Sequence, residues 1–155
     1  MPSAAPETLL TIEEWLATWL GSKTQGDLGG RVYPVFLPDN IPLPAAVYRR
    51  QRTAREKHSR GATGLATATF EIAVLAQSDR KGFDTVTRVA QTIRLNMDGL
   101  QGDTQRGQHV RMVSLDDESD DIEQPAFGDA VVIFKRVLTL TIAYLEQTRA
   151  LIGGA

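Results

Sequence analysis

The chain has 155 residues, 42% of them hydrophobic and 23% charged, with a formal net charge of −2. A chain of that length is expected to form one domain that buries a core without help from a disulfide or a metal. With no cysteine, a disulfide framework, a thiolate zinc site and a thiol nucleophile are excluded. The balanced charge gives no global bias toward nucleic acid or membrane.

The opening MPSAAPETLL has no basic n-region and no continuous apolar core, so a secretory signal is not expected. Residues 1–8 read as a loose arm, 9–146 as the core and 147–155 as a tail. Ile12, Trp15, Leu16, Trp19 and Leu20 recur at helical spacing and predict a helix over 11–20 with both tryptophans turned inward. Thr11 and Glu14 form a T-x-x-E capping box, and Gly21 is the expected C-terminal cap. Residues 21–30 read as a Gly-rich loop. A short extended piece follows at 31–37, then the proline-framed 38–44, which cannot be helical. Alternation predicts a strand over 45–52, a long hairpin connection at 53–63, and a strand over 64–77. In that second strand Ala66, Ala68, Phe70, Ile72, Val74 and Ala76 share one face. Phe83, Val86, Ala90, Ile93 and Met97 mark a second amphipathic helix over 83–98, stopped at Asp98-Gly99. Residues 99–108 read as a polar, Gly-rich connection, 110–115 as a short strand and 116–129 as an acidic loop. A last strand is predicted over 130–145, with a bend near Lys135-Arg136 because sixteen residues exceed the usual strand. The fold class expected is α+β, a mostly antiparallel sheet with two main helices packed on one face, in the order α-β-β-β-α-β-β. The most apolar late stretch, Val137 to Leu145, is far shorter than a membrane helix requires. The reading is of a soluble protein, or of a particle component assembled inside a cell.

Few residues carry recognisable chemistry. His58 and His109 lack a second ligand at metal spacing, and no G-x-S-x-G elbow positions a serine. Gly21-Ser22-Lys23-Thr24 only resembles the end of a phosphate-binding loop: Leu16 occupies the place of the first glycine, and the segment follows a helix. No catalytic residue, cofactor or metal is expected. Two charge clusters remain. Arg49, Arg50, Arg52, Arg55, Lys57 and Arg60 stand against Glu56 alone, and Asp116, Asp117, Glu118, Asp120, Asp121 and Glu123 crowd into eight residues. Solvated surface, phosphate contact and protein–protein contact all fit the basic set, although it lacks the interleaved aromatics of a single-strand binder. The acidic set lacks the calcium-loop spacing.

An ordered series of motifs carries a family resemblance over residues 9–146. It runs from Gly30-Arg31-Val32-Tyr33-Pro34 through Ile41-Pro42-Leu43-Pro44 into Ala46-Val47-Tyr48. It continues with the long strand Ala68 to Val74 and the helix with its Gly turn from Val86 to Gly99, and closes with the strand Lys135 to Tyr144. In this order and spacing the chain resembles the tail terminator, or tail-completion, proteins of long-tailed phages. The regions 53–63 and 116–129 are least typical of that family.

The resemblance implies a virion structural protein and not an enzyme: a homo-oligomer, commonly a hexameric ring, that caps the tail tube and presents the head-docking surface. Its partners would be the tail tube protein and a head-completion or neck protein. DNA would pass through the ring without specific binding, no membrane would be involved, and the subunit would assemble in the host cytoplasm. Another neck or head-completion subunit is the alternative within this class, and a small nucleic-acid-binding module using residues 49–60 the alternative outside it. The basic and acidic clusters together are the candidate contact: the 49–60 stretch of one copy meets the 116–123 loop of the next, or else lines a face presented to a tail partner.

Overall fold

The computed structural model describes residues 11–58, 61–105, 108–123 and 132–146. Helix α1 (Ile12–Lys23) and the single turn α2 (Gln25–Leu28) lead into strands β1 (Val32–Pro34), β2 (Ala45–His58) and β3 (Gly61–Gln77). Helix α3 (Arg80–Met97) follows, then β4 (Gln101–Gln105), β5 (Gln108–Glu123) and β6 (Ile133–Leu145). The strands form one six-stranded sheet in the order β1-β2-β3-β6-β5-β4. Only β1 and β2 run parallel; every other pairing is antiparallel. The architecture is α+β as expected, but the order gains α2 within the anticipated 21–30 loop and β4 within the anticipated 99–108 connection.

Alternation explains the core. Ala66, Ala68, Phe70, Ile72, Val74 and Ala76 of β3 are all buried, as are Leu138, Leu140, Ile142 and Tyr144 of β6, in one cluster with the apolar faces of α1 and α3. Thr11 and Glu14 form the capping box at the start of α1. The helix does not stop at Gly21, however: it runs on to Lys23, and Thr24 caps it by donating its hydroxyl to Leu20 O at 2.5 Å. Helix α3 begins three residues earlier than expected because Asp79 caps it, its carboxylate accepting from Gly82 N at 2.6 Å. Gly82 is required there, since a Cβ would lie 1.9 Å from the Gln77 carbonyl oxygen. Phe83 is 46% exposed and Phe134 half-buried; their rings meet edge to face with centroids 5.5 Å apart.

Both charge clusters lie largely in strands. Strand β2 continues through the basic run to His58, where a hairpin connection was expected, and β5 continues through the acidic run to Glu123, where a loop was expected. The reason is pairing: β3 and β6 are long apolar strands, and each supplies backbone partners along the charged strand beside it. The expected bend at Lys135-Arg136 is absent, since β6 pairs with β3 without interruption from Ile133 to Leu145. The irregularities lie in the charged strands instead, between Arg50 and Arg52 and between Arg55 and Lys57 in β2, and between Val110 and Met112 and between Leu115 and Asp117 in β5. The strand positions anticipated at 130–131 fall outside the described residues.

Candidate functional site

The register runs the two clusters toward opposite ends of the sheet from a shared level: Arg49 pairs with Glu71 of β3, and Asp117, through Thr139, aligns with the same residue. Strand β2 ends, and β3 begins, where Lys57 pairs with Ala62; β5 ends, and β6 begins, where Glu123 pairs with Ile133. Along β3 these levels lie near Leu65, the partner of Leu145, and at Gln77, the partner of Ile133. Twelve residues of strand separate these far ends by about 40 Å, while the near ends lie three strand spacings, about 14 Å, apart across the sheet. The two runs are therefore out of ion-pair reach of each other within one subunit.

Each cluster is also divided between the two faces. On the helix-covered face, Arg50 lies over the Phe70 ring at 5.6 Å, donates to Thr53 Oγ1 at 2.9 Å and pairs with Glu13 of α1. Arg55, on the same face, holds Glu146 through two hydrogen bonds of 2.6 and 3.0 Å. That contact holds the Glu146 carboxyl below the usual glutamate value, and raises Arg55. Tyr144 donates to Glu146 at 3.4 Å, and burial pushes its phenol up. On the open face, Arg49 pairs with Glu71 at 3.3 Å, and Gln51 donates to the same carboxylate at 2.7 Å. Arg52 is exposed and has no ion pair among the described residues. The side chain of Lys57 and all of Arg60 lie outside the described residues.

In the acidic cluster, Asp120 takes a bidentate pair from Arg136 at 2.6 and 3.2 Å, and this hydrogen bonding raises Arg136 above its ordinary value. Arg136 interrupts the apolar face of β6, and it carries its charge across the Phe83 ring to that carboxylate. Asp116 accepts from Ser114 at 2.9 Å and from Thr141. Asp117, Glu118 and Asp121 are exposed, and Asp121 accepts from Ile122 N at 2.8 Å. The Glu123 side chain lies outside the described residues. Sequence reasoning missed Glu13, Glu71 and Glu146 as partners. Glu146 could have been found, since it continues the parity of Leu140, Ile142 and Tyr144 one step past the strand.

Among the described residues, the backbone edges of these strands are covered only in part. Strand β1 covers β2 at 46–48, with two flanking hydrogen bonds, from Ala46 N to Arg31 O at 2.9 Å and from Val35 N to Tyr48 O at 2.8 Å. On the other side β4 covers β5 from Gln108 to Met112, and the 98–100 turn covers it to Leu115. Among the described residues nothing pairs with the outer edge of β2 from Arg49 to Arg55 or of β5 from Asp117 to Glu123.

A second feature lies on the open face. The 35–43 segment crosses one end of it and borders an open groove of about 850 Å³ whose floor includes Val47, Arg49, Glu71, Ala73 and Lys135. Val35 holds φ at 67° while 65% exposed, and Phe36 is 70% exposed. Positive φ at a β-branched residue is a backbone outlier. No three His, Asp or Glu side chains among the described residues group to hold a metal, and no described helix is long and apolar enough to cross a membrane.

No family model matches the chain, and no curated protein sequence does. Among solved structures, a chain from the virion of a native gene transfer agent particle matches with a TM-score of 0.60 and 16% identity, over 86% of this chain and 91% of that one. The fold of this chain is thus similar, over 86% of its length, to that of a chain in a gene transfer agent virion.

Proposed function

We propose that the chain is a structural subunit of a phage-like virion, that it assembles into a ring closing the end of the tail tube, and that this ring joins tail to head. The similarity to a gene transfer agent virion chain, near-complete over both lengths, carries the reading. The surface supports it. Two strand edges of opposite charge face away from each other on one subunit, the geometry a head-to-tail ring uses. The role is architectural, and no chemical step is assigned to it.

The basic run does not favour a nucleic-acid module. Its arginines are divided between the two faces of the sheet, and Arg49, Arg50 and Arg55 already hold carboxylates. A phosphate track requires cations aligned on one face and free to displace counterions. Particles produced without this chain test the proposal: heads and tails are expected to accumulate unjoined, and supplying the chain restores joining. Label on the chain should appear at the head–tail junction by electron microscopy. Normally joined particles lacking the chain would overturn the reading, and label confined to the head side would favour a head-completion subunit.

A further inference from the structure

We infer that neighbouring copies join by strand addition, the open edge of β2 on one copy pairing antiparallel with the open edge of β5 on the next, so that one continuous sheet runs around the ring. The inference rests on the ring reading and specifies the contact that builds it.

Three observations carry it. The first is charge. Exposed sheet edges template pairing with another chain, and charged side chains along an edge decide which pairings are allowed. Here the open stretch of β2 carries Arg49, Arg50, Arg52 and Arg55, of which Arg52 has no ion pair among the described residues, and that of β5 carries Asp117, Glu118, Asp120, Asp121 and Glu123, of which Asp120 is paired to Arg136. A two-fold contact of either edge with itself would set like charges opposite each other, which is destabilising in cross-strand pairs. Only the unlike edges match, so the charges select a head-to-tail contact and reject the closed dimer.

The second is direction. Strands β2, β3, β6 and β5 alternate antiparallel in turn, so β2 runs opposite to β5. A neighbour displaced around a ring without inversion therefore presents its β2 antiparallel to β5, in the more stable ladder.

The third is stagger. Ala54 lies at the level of Thr67 of β3, and Ser119, through Val137, at the level of Ala73. Bringing the two open stretches together displaces the neighbour along the strands by six residues, about 20 Å. Four strand spacings carry it sideways by about 19 Å. A ring that closes on that displacement tilts its strands about 45° to the axis, the tilt at which sheets close into barrels. The covered parts of each edge enforce the stagger. Strand β1 blocks β2 at the level of β3 residues 72–74, and β4 blocks β5 at 108–112, so an unstaggered approach meets a strand that is already paired.

Cysteine cross-linking tests this directly, because the natural chain has no cysteine. Ala54 and Ser119 are exposed, and the register puts both on the open face. The variant carrying both Ala54→Cys and Ser119→Cys, oxidised at concentrations where native mass spectrometry is run in parallel, should give a ladder of covalent multiples on a non-reducing gel. Each single variant should stay uncross-linked alone, and a mixture of the two should give dimers. Circular dichroism of the reduced variants checks that they are folded. Dimers from either single variant alone would overturn the inference in favour of a two-fold contact. A folded double variant that forms an oligomer without the ladder would overturn edge pairing while leaving the ring reading intact. A folded double variant that stays monomeric at every concentration, with no ladder, would count against both.

Discussion

Trp15 is fully buried, yet its indole N–H donates to Asp103 Oδ2 of β4 at 2.7 Å. An unpaired buried donor costs about 1–3 kcal/mol. Asp103→Ala should lower stability by that order in urea denaturation, and a variant as stable as the parent would mean that the indole finds water instead. The inward turn of Trp15 was legible from helical spacing. Its partner was not, because Asp103 is 88 residues away in sequence and the strand holding it was read as a connection. Glu146 supports a pH prediction. Its carboxyl is held below the ordinary value of 4.5, chiefly by hydrogen bonding to Arg55. A lowered folded-state value means stabilisation that is fully present above the ordinary carboxylate range and lost as pH falls through the lowered value. Glu146→Gln should therefore be less stable than the parent at neutral pH, and the difference should shrink in acid. Equal stability at neutral pH would show that the exposed pair contributes nothing.

At the level of elements, strands with an apolar partner face could be read from the sequence and charged strands could not. The alternation of Ala66 through Ala76 identified β3 and its buried face directly. The continuation of β5 past Leu115 places Glu118, Asp120 and Ile122 on the helix-covered face with Ser119 and Asp121 opposite, a pattern without apolar alternation. What holds this segment in a strand is its backbone ladder to β6, a long-range contact that local composition does not report. The bend expected near Arg136 from strand length is likewise absent, and Asp120 on the adjacent strand accommodates the charge that interrupts the apolar face there. Two substitutions test the element-level account by denaturant unfolding. Phe70→Ala, at a fully buried site, should cost about 3–5 kcal/mol. Gly82→Ala should cost about 1–3 kcal/mol, because its Cβ would collide with the Gln77 carbonyl and force α3 away from the end of β3. An alanine that leaves stability unchanged at 82 would show that this helix–strand junction is looser than described.

For the whole molecule, the two clusters were legible as candidate contacts, but their separation was not. Only the strand register shows that they lie on opposite sides of one sheet and run from a shared level toward opposite ends of it. It also shows which charges are committed internally. Arg55 and Asp120 already hold Glu146 and Arg136, which leaves Arg52 and Asp121 as the sharper probes of assembly. Arg52→Glu should weaken association without unfolding the subunit, and Asp121→Lys added in the same chain should partly restore it, since complementarity across an interface governs partner choice. The claim tested most directly is that identical copies close head to tail. Native mass spectrometry of the purified chain over a rising concentration series measures it. The account predicts one closed oligomer of more than two copies appearing without a stable two-fold intermediate; a dimer as the only assembled form would contradict it.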